Sequence, residues 1–361
     1  MTNPSPTPGD CAPGSIGVVL VEKSAGVISV RYAERATPSP GGGELLVLPA
    51  YVGICGSDLE QLHDEMPENF PIGFPHTLGH EWSGTVQEVG PDVTGFVVGD
   101  RIIGHGDMGG NRWFGVTEDG AMGDVFTVPA AMCMPVPDSV SLQNAALIEP
   151  FACVLNTMQK VGGVHAGQTV HIFGLGAIGL TAVMQAATSG ATVVVFDPSP
   201  LRREKALAIG ASCAVDPLLG VEANLDEIEA STGRRFADLV IEASGVAAAQ
   251  AASLESADHG GRVVLMGISR PRPSGARLGL VQDRDLTVTT SVGAPAAVWP
   301  VALRFVENTG LDLTPIVSSV LPFSECVEAI QRAEEPGRDI KILLRPDAAF
   351  NTTQPALTGV G

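Results

Sequence analysis

The stretch "PHTLGHEWSG", residues 75–84, gathers His76, His80 and Glu81 among small residues and glycines. Imidazole nitrogens and carboxylate oxygens are donors that zinc accepts, so the segment is a candidate metal cradle; the spacing alone does not say which of the three would bind. His76 and His80, four residues apart, would share a face of a helix. The flanking Pro75 and Gly79 argue for a loop instead, and His76 is assigned as a polar residue of that loop or of a cleft rim. Cys55, 25 residues before His80, ends an apolar run within the glycine turn of "YVGICGSDLEQLH". A thiolate there can face a cleft and ligate a metal. A lone cysteine is more often core filler, but the His–Glu pair downstream strengthens the ligand reading.

A second constellation implies a different chemistry. "HIFGLGAIGL" sets Gly174, Gly176 and Gly179 in G-x-G-x-x-G spacing after an apolar strand and at the start of a helix. The first glycine permits a tight turn, the second lets backbone N–H groups approach a pyrophosphate, and the third brings helix and strand together. Such a triplet is weak by itself among 43 glycines, but the next strand ends in Asp197, 23 residues past Gly174. That is close to the spacing of about 20 at which an acid meets the adenosine ribose. A carboxylate there would repel a 2′-phosphate, so NAD is expected rather than NADP. Arg202 and Arg203 can in principle meet a phosphate, although "PLRREKA" reads as the solvated start of a helix. The expected cofactor contacts are Gly174, Gly176, Ala177, Ile178, Gly179, Asp197 and Arg202, with Ser244, Gly267 and Val292 near the ends of later strands.

The elements that must hold these groups read as an α/β protein. From about residue 16 to 140 short β-type runs are cut by glycines ("IGVVLVE", "GVISVRY", "ELLVLPAYVGI", "SGTVQEVG", "DRIIGH", "DVFTVPA"), a mainly β, partly barrel-like domain. From about residue 167, six apolar strands alternate with helical stretches, the pattern of a doubly wound parallel sheet. The elements after 294 are too few for a third domain and are expected to complete the first. The domains are thus 16–154 completed by 295–346, and 155–294, with loose tails at 1–15 and 347–361. Among 361 residues, 45% are hydrophobic and 17% charged, a folded composition, and a net charge of −19 argues against nucleic acid and anionic membrane surfaces as partners. No apolar run approaches the roughly 20 residues of a bilayer span, and the N-terminus lacks the order of a secretory signal. Six scattered cysteines suggest reduced thiols. A cytoplasmic protein is expected.

Taken in order, "GICGSD", "GHEWSGTVQEVG", "VGDRI", "EPFACVLN" and "GLGAIG" resemble the zinc-dependent medium-chain dehydrogenases, over residues 16 to 345. The likeness is greatest to the sorbitol, threonine and butanediol dehydrogenase branch, and "GHEWSGTV" is also similar to dehydrogenases of aminocyclitol biosynthesis. The resemblance implies a GroES-like catalytic domain and a Rossmann domain. It implies a catalytic zinc on Cys55, His80 and Glu149, with Glu81 as a close or alternating ligand, and Asp58 orienting the imidazole of His80. Ser57 would be the inner hydroxyl of a proton relay. His76 keeps its loop role.

Two departures matter. The stretch where many relatives carry four cysteines for a structural zinc, "GHGDMGGNRWFGVTEDGAMGDVF", has none, so one zinc per chain is expected. Where the branch often has a relay histidine, this chain has Glu60, with His63 three residues later, so either Glu60 or ordered water would carry the outer step. The implied reaction is interconversion of a secondary alcohol, of polyol, sugar, aminocyclitol or amino-alcohol type, with its ketone. Zinc would acidify the hydroxyl and the nicotinamide C4 would take the hydride. Asn111, Arg112, Trp113 and Phe114 are possible cleft lining, and Glu60, His63 and Arg112 would suit a hydroxylated or cationic substrate. The rivals are a zinc-free quinone or enoyl reductase using NADPH, which would lack the Cys–His–Glu set, and a catalytically silent nucleotide-binding protein. The last strand of the nucleotide sheet would be an exposed edge, so a homodimer or homotetramer is expected.

Overall fold

The structure, a computed structural model, describes residues 14–68, 70–268, 275–335 and 337–347. The expected tails therefore lie almost wholly outside the described residues, as does Cys11. The chain forms two compact units, one from the residues up to Glu149 together with those from Val317 onward, the other from Pro150 to Ile316.

The first unit opens with β1 (Ser15–Ser24) and β2 (Val27–Ala36). They form an antiparallel hairpin whose two turn residues, Ala25 and Gly26, both have positive φ, 50° and 82°. That mirror-image turn matches the twist of the strands it joins. There follow β3 (Glu44–Gly53), α1 (Gly56–Leu62), β4 (His76–Thr77), β5 (Glu81–Val89), β6 (Arg101–Gly104), β7 (Phe126–Pro129), β8 (Cys133–Pro135) and α2 (Leu142–Ala146). The helix α3 (Ile148–Lys160) runs on into the second unit. Alternate residues of β3 and β5 turn inward, so Val47, Val52, Trp82 and Val86 meet Ile102, Phe114 and Phe126 in one core. The Trp82 and Phe126 rings stand edge to face at 4.9 Å.

The second unit alternates β9 (Thr169–Phe173), α4 (Ala177–Thr188), β10 (Thr192–Phe196), α5 (Pro200–Ala208), β11 (Cys213–Val215), α6 (Val221–Thr232), β12 (Ala237–Glu242), α7 (Ala247–Ser256), β13 (Ala257–Leu265), α8 (Gly279–Asp283), β14 (Thr287–Thr290) and α9 (Trp299–Thr309). Its six strands are parallel, in the order β11-β10-β9-β12-β13-β14. The order reverses beside β9, the position where such sheets receive nucleotides. Strands β9 and β10 are apolar and buried almost throughout, as a sheet covered on both faces requires.

The chain then returns to the first unit as β15 (Val317–Pro322), α10 (Cys326–Glu334) and β16 (Lys341–Arg345). Strand β16 lies antiparallel to β3, with Leu343 opposite Gly53 and Leu344 opposite Val52. A sheet of β15-β16-β3-β5-β6-β8, with β7 also paired to β3, results; β4 joins β1 and β2 in a smaller one.

The fold is thus the mixed α/β arrangement expected. The domain limits differ: the crossings fall at 149/150 and 316/317 instead of 154/155 and 294/295. Helix α9 belongs to the second unit because its apolar face, Trp299, Ala302, Leu303 and Val306, is buried there, with Phe305 5.5 Å from the Phe151 ring. Among the described residues no helix is long and apolar enough to cross a membrane.

Candidate metal centre and dinucleotide loop

Strand β3 ends at Gly53 and delivers Cys55 to the N-cap of α1, where its backbone N–H donates to Asp58 Oδ2 at 2.8 Å. The facing segment turns at Gly79, φ +105°, and places His80 and Glu81 at the start of β5. This turn is packed from outside by glycines: a Cβ at Gly115 would strike the Gly79 backbone and come within 2.7 Å of His80 N. The ligand atoms of Cys55, His80 and Glu81 lie within 4.8 Å of one another, and the two latter residues are buried. Tetrahedral zinc with bonds of about 2.0–2.3 Å sets its donors about 3.3–3.8 Å apart, so a small contraction closes this triangle. Among the described residues it is the one group of three or more such side chains with that geometry.

The two imidazole nitrogens of His80 have different surroundings. Nδ1 points to Asp58 Oδ1 at 3.7 Å, and Nε2 lies 3.5 Å from Ser57 Oγ. Burial opposes a charge on His80, but the hydrogen bond and charge of Cys55, with Asp58 and Glu149, outweigh it and push the imidazole to about 10. Burial raises Asp58 to about 6 despite the opposing pull of His80. Acidic groups thus crowd the imidazole, a setting in which a metal ion can replace protons.

Glu149, in the first turn of α3, is half-buried and outside the triangle of ligand atoms, yet close enough to act electrostatically on His80 and on Lys341. The structure therefore brings Glu81, and not Glu149, together with Cys55 and His80. Lys341, from β16, was not singled out by sequence. It is 3% exposed, ion-pairs with Glu81 and donates to Ile54 O at 2.9 Å. Gly53 leaves the room: a Cβ there would overlap the Glu81 carboxylate.

Other expectations need correction. His76 is no loop or rim residue: it sits in β4 opposite Val21, is 2% exposed, and its Nε2 contacts Gln61 Oε1 at 2.7 Å. Burial drives it down to about 4, so it stays neutral. Phe114 packs in the core against Trp82 and Phe126, not in a cleft, because the 105–118 lobe folds its aromatic inward. Arg112 pairs with Glu118 at 2.8 Å and His63 with Glu334 at 2.8 Å, both exposed pairs. Glu60, the expected outer relay residue, lies half-buried on α1 three residues from Ser57.

In the second unit Gly174 has φ +86° and leans on Ser244, which a Cβ would approach to 2.7 Å; a Cβ at Gly179 would overlap Gly174 O. Around Gly176, the N-cap of α4, a Cβ would meet nothing within 4 Å, the open ground a pyrophosphate needs. Ala177 and Ile178 form the first turn of α4, partly accessible. Asp197 ties loop to strand: Oδ2 accepts from Leu175 N at 2.8 Å and Oδ1 from Ser199 N at 2.9 Å. Arg202 reaches to 4.0 Å from the same carboxylate. Ser244 N donates to Glu242 Oε1 at 2.8 Å, a buried acid that sequence reading passed over and that fixes the loop after β12. Gly267 packs against the Gly245 backbone, and Val292 is 73% exposed.

Residues 41–138 match the alcohol dehydrogenase GroES-like domain, and residues 177–308 the zinc-binding dehydrogenase family. Human sorbitol dehydrogenase is 30% identical over 340 residues, covering 88% of this chain and 93% of that protein. The chain belongs to the zinc-type medium-chain alcohol dehydrogenase family. Another member of this dehydrogenase family, the 2-dehydro-3-deoxy-L-galactonate 5-dehydrogenase of Pseudoalteromonas atlantica, is 29% identical over 339 residues, 89% of this chain and 96% of its own. A solved zinc-binding dehydrogenase of Sinorhizobium meliloti, bound to NADP, superposes with a TM-score of 0.82 at 30% identity, over 92% of this chain and all of that one. As a member of that family, the protein is an oxidoreductase.

Proposed function

We propose that this dehydrogenase interconverts a secondary alcohol of polyol, sugar, aminocyclitol or amino-alcohol type with its ketone, using one zinc ion and NAD(H). The observation that carries the reading is the buried convergence of Cys55, His80 and Glu81 within 4.8 Å, backed by Asp58 and by Lys341. A thiolate, an imidazole and a carboxylate are a donor set that suits zinc and leaves a position for substrate. When bound, zinc supplies the Lewis acidity that lets a hydroxyl lose its proton near neutrality, and NAD supplies the hydride acceptor.

The chain's own residues do the rest. Cys55, His80 and Glu81 would grip the ion, with Glu149 as a further acid at the centre. Asp58 would hold His80 by its Nδ1 and so fix which nitrogen faces the ion. Ser57, with Oγ 3.5 Å from His80 Nε2, is placed to take the proton of a substrate hydroxyl. Glu60, three residues along α1, or solvent would carry it outward.

Asp197 favours NAD, since its carboxylate would face a 2′-phosphate as a like charge. The NADP found in the Sinorhizobium protein is the competing outcome. The lobe of residues 105–125 offers no thiolate, so one zinc per chain is expected. Strand β14 ends its sheet with exposed Val288, an edge that pairing with a second copy would cover.

The test is metal analysis of the purified chain together with absorbance at 340 nm across secondary alcohols, polyols and aminocyclitols, with NAD and with NADP. One equivalent of zinc and chelator-sensitive reduction of NAD support the reading. Full activity after zinc removal, or zinc retained by the Cys55→Ala, His80→Ala double variant, would overturn it.

A further inference from the structure

Helix α1 carries Cys55, Ser57 and Asp58 toward His80, yet its seven residues contain two fully buried side chains and both are polar, Asp58 and Gln61. Leu59 and Leu62 are only half-buried against the core. Apolar packing alone therefore does not fix where this short helix sits. What faces it is the segment from His76 to Glu81, all of whose described polar side chains are buried. Two contacts bridge helix and segment like rungs. Asp58 meets His80, and three residues along the helix Gln61 meets His76, four residues earlier in the segment.

The rungs are unequal. Gln61 Oε1 and His76 Nε2 are at 2.7 Å, a closed hydrogen bond, whereas Asp58 and His80 stand at 3.7 Å, beyond one. The segment's end of the closed rung is itself anchored. His76 and Thr77 pair with Val21 and Leu20 of β1, Thr77 N donates to Asp119 at 2.7 Å, and Arg35 donates to both Asp119 and Thr77 Oγ1, at 2.8 and 3.2 Å. A buried amide and a buried imidazole that lost each other would each be left short of a partner, which gives the contact its grip.

We infer that Gln61 and His76 are a positioning pair, setting the distance of α1 from residues 76–81 and so the approach of Cys55, Ser57 and Asp58 to His80. The inference rests on the proposed metal centre. Neither residue touches substrate or ion; their effect is exerted through the helix.

The test uses the full chain and zinc alone. Zinc affinity is read by competition with a colorimetric chelator, beside the melting temperature and kinetics, for wild type, Gln61→Leu, His76→Phe and the double variant. The expected result is a zinc dissociation constant raised about tenfold in either single variant, the scale of outer partners of metal-bound imidazoles. The double variant should be no worse than the singles, because the pair acts as a unit. Gln61→Glu, which keeps an oxygen for His76, should restore affinity to within about threefold of wild type, and the KM for NAD should not move in any of them. Gln61→Met and His76→Leu give the same reading if the first variants do not fold. Zinc affinity within about twofold of wild type in variants that melt lower would overturn the inference and leave the pair purely structural. A wild-type chain that holds no zinc would instead overturn the metal-centre reading, and this one with it.

Discussion

Lys341→Met isolates one buried charge. In the folded chain the ammonium is 3% exposed, pairs with Glu81, itself 1% exposed, and donates to Ile54 O at 2.9 Å. Methionine has nearly the same length and keeps the packing against Gly53, so the change removes charge and donors without opening a large cavity. Glu81 is then left in the interior with no partner. Removing one member of a buried ion pair costs about 3–5 kcal/mol. At about 2–4 °C per kcal/mol for a body of 150–250 residues, that is a fall in melting temperature of roughly 6–20 °C in chelator. With zinc present the fall should be smaller, because an ion gripped by Glu81 supplies the missing positive charge. The Glu81→Gln, Lys341→Met double variant should recover most of the stability in chelator, since it leaves no unpaired charge. Thermal and urea denaturation with zinc and with chelator measure all three changes. A single variant within about 1 kcal/mol of wild type, or a double variant no better than the single, would refute the reasoning.

Asp197→Asn removes the negative charge that, on the proposed reading, would face the adenosine ribose; the KM for NAD should rise about tenfold to a hundredfold, the worth of a charged hydrogen bond, while that for NADP falls, as steady-state kinetics with both cofactors would show. His171, buried in β9 with Nδ1 2.5 Å from Ser256 Oγ, is lowered by burial to about 3. The unfolded chain therefore takes up a proton that the folded chain refuses between about pH 6.5 and 3, so stability falls as pH drops through that window. His171→Gln should reduce the slope by about 1.4 kcal/mol per pH unit in urea unfolding between pH 6 and 4.5, and an unchanged slope would count against the buried, neutral imidazole. Phe114→Ala should cost about 3–5 kcal/mol in denaturation and leave the KM for any alcohol substrate unmoved, as a core residue and not a cleft residue would.

What could be read from the chain before folding was whatever depends on neighbours in sequence. The short β-type runs of β1 and β3, the apolar strands of the parallel sheet and the glycine loop with its distant Asp197 are local signals, and the structure places each on the element expected. His76 was misplaced because Pro75 and Gly79 do mark a turn; a two-residue strand exists there only because β1 offers it partners. The amphipathic pattern of α9 says that one face is buried and nothing about which core receives it, so a limit at 294 falls short of the crossing at 316/317. Lys341 escaped because it meets Ile54 only when β16 lies against β3, 287 residues apart in sequence. A signal was present: in "KILLR" one lysine opens a strand that is otherwise apolar and buried up to its last residue. A cation in such a run requires a buried partner.

That partner explains why the choice between Glu81 and Glu149 cannot be made from residue types. Both are glutamates near His80, and the ammonium of Lys341 feels both, Glu81 more strongly. Glu81 is the one brought to Cys55 and His80, but it is also the one already paired. Lys341 stands among two carboxylates and the sulfur of Cys55, and Asp58 adds a further acid behind His80. Acids gathered this closely are costly to bury without compensation. That cost is reduced by taking up protons, as the upward shifts of His80 and Asp58 indicate, or by a divalent cation at the point where the three donors meet. Lys341 thus holds the Glu81 carboxylate in place beside Cys55 and His80, where it would serve as a donor if an ion binds.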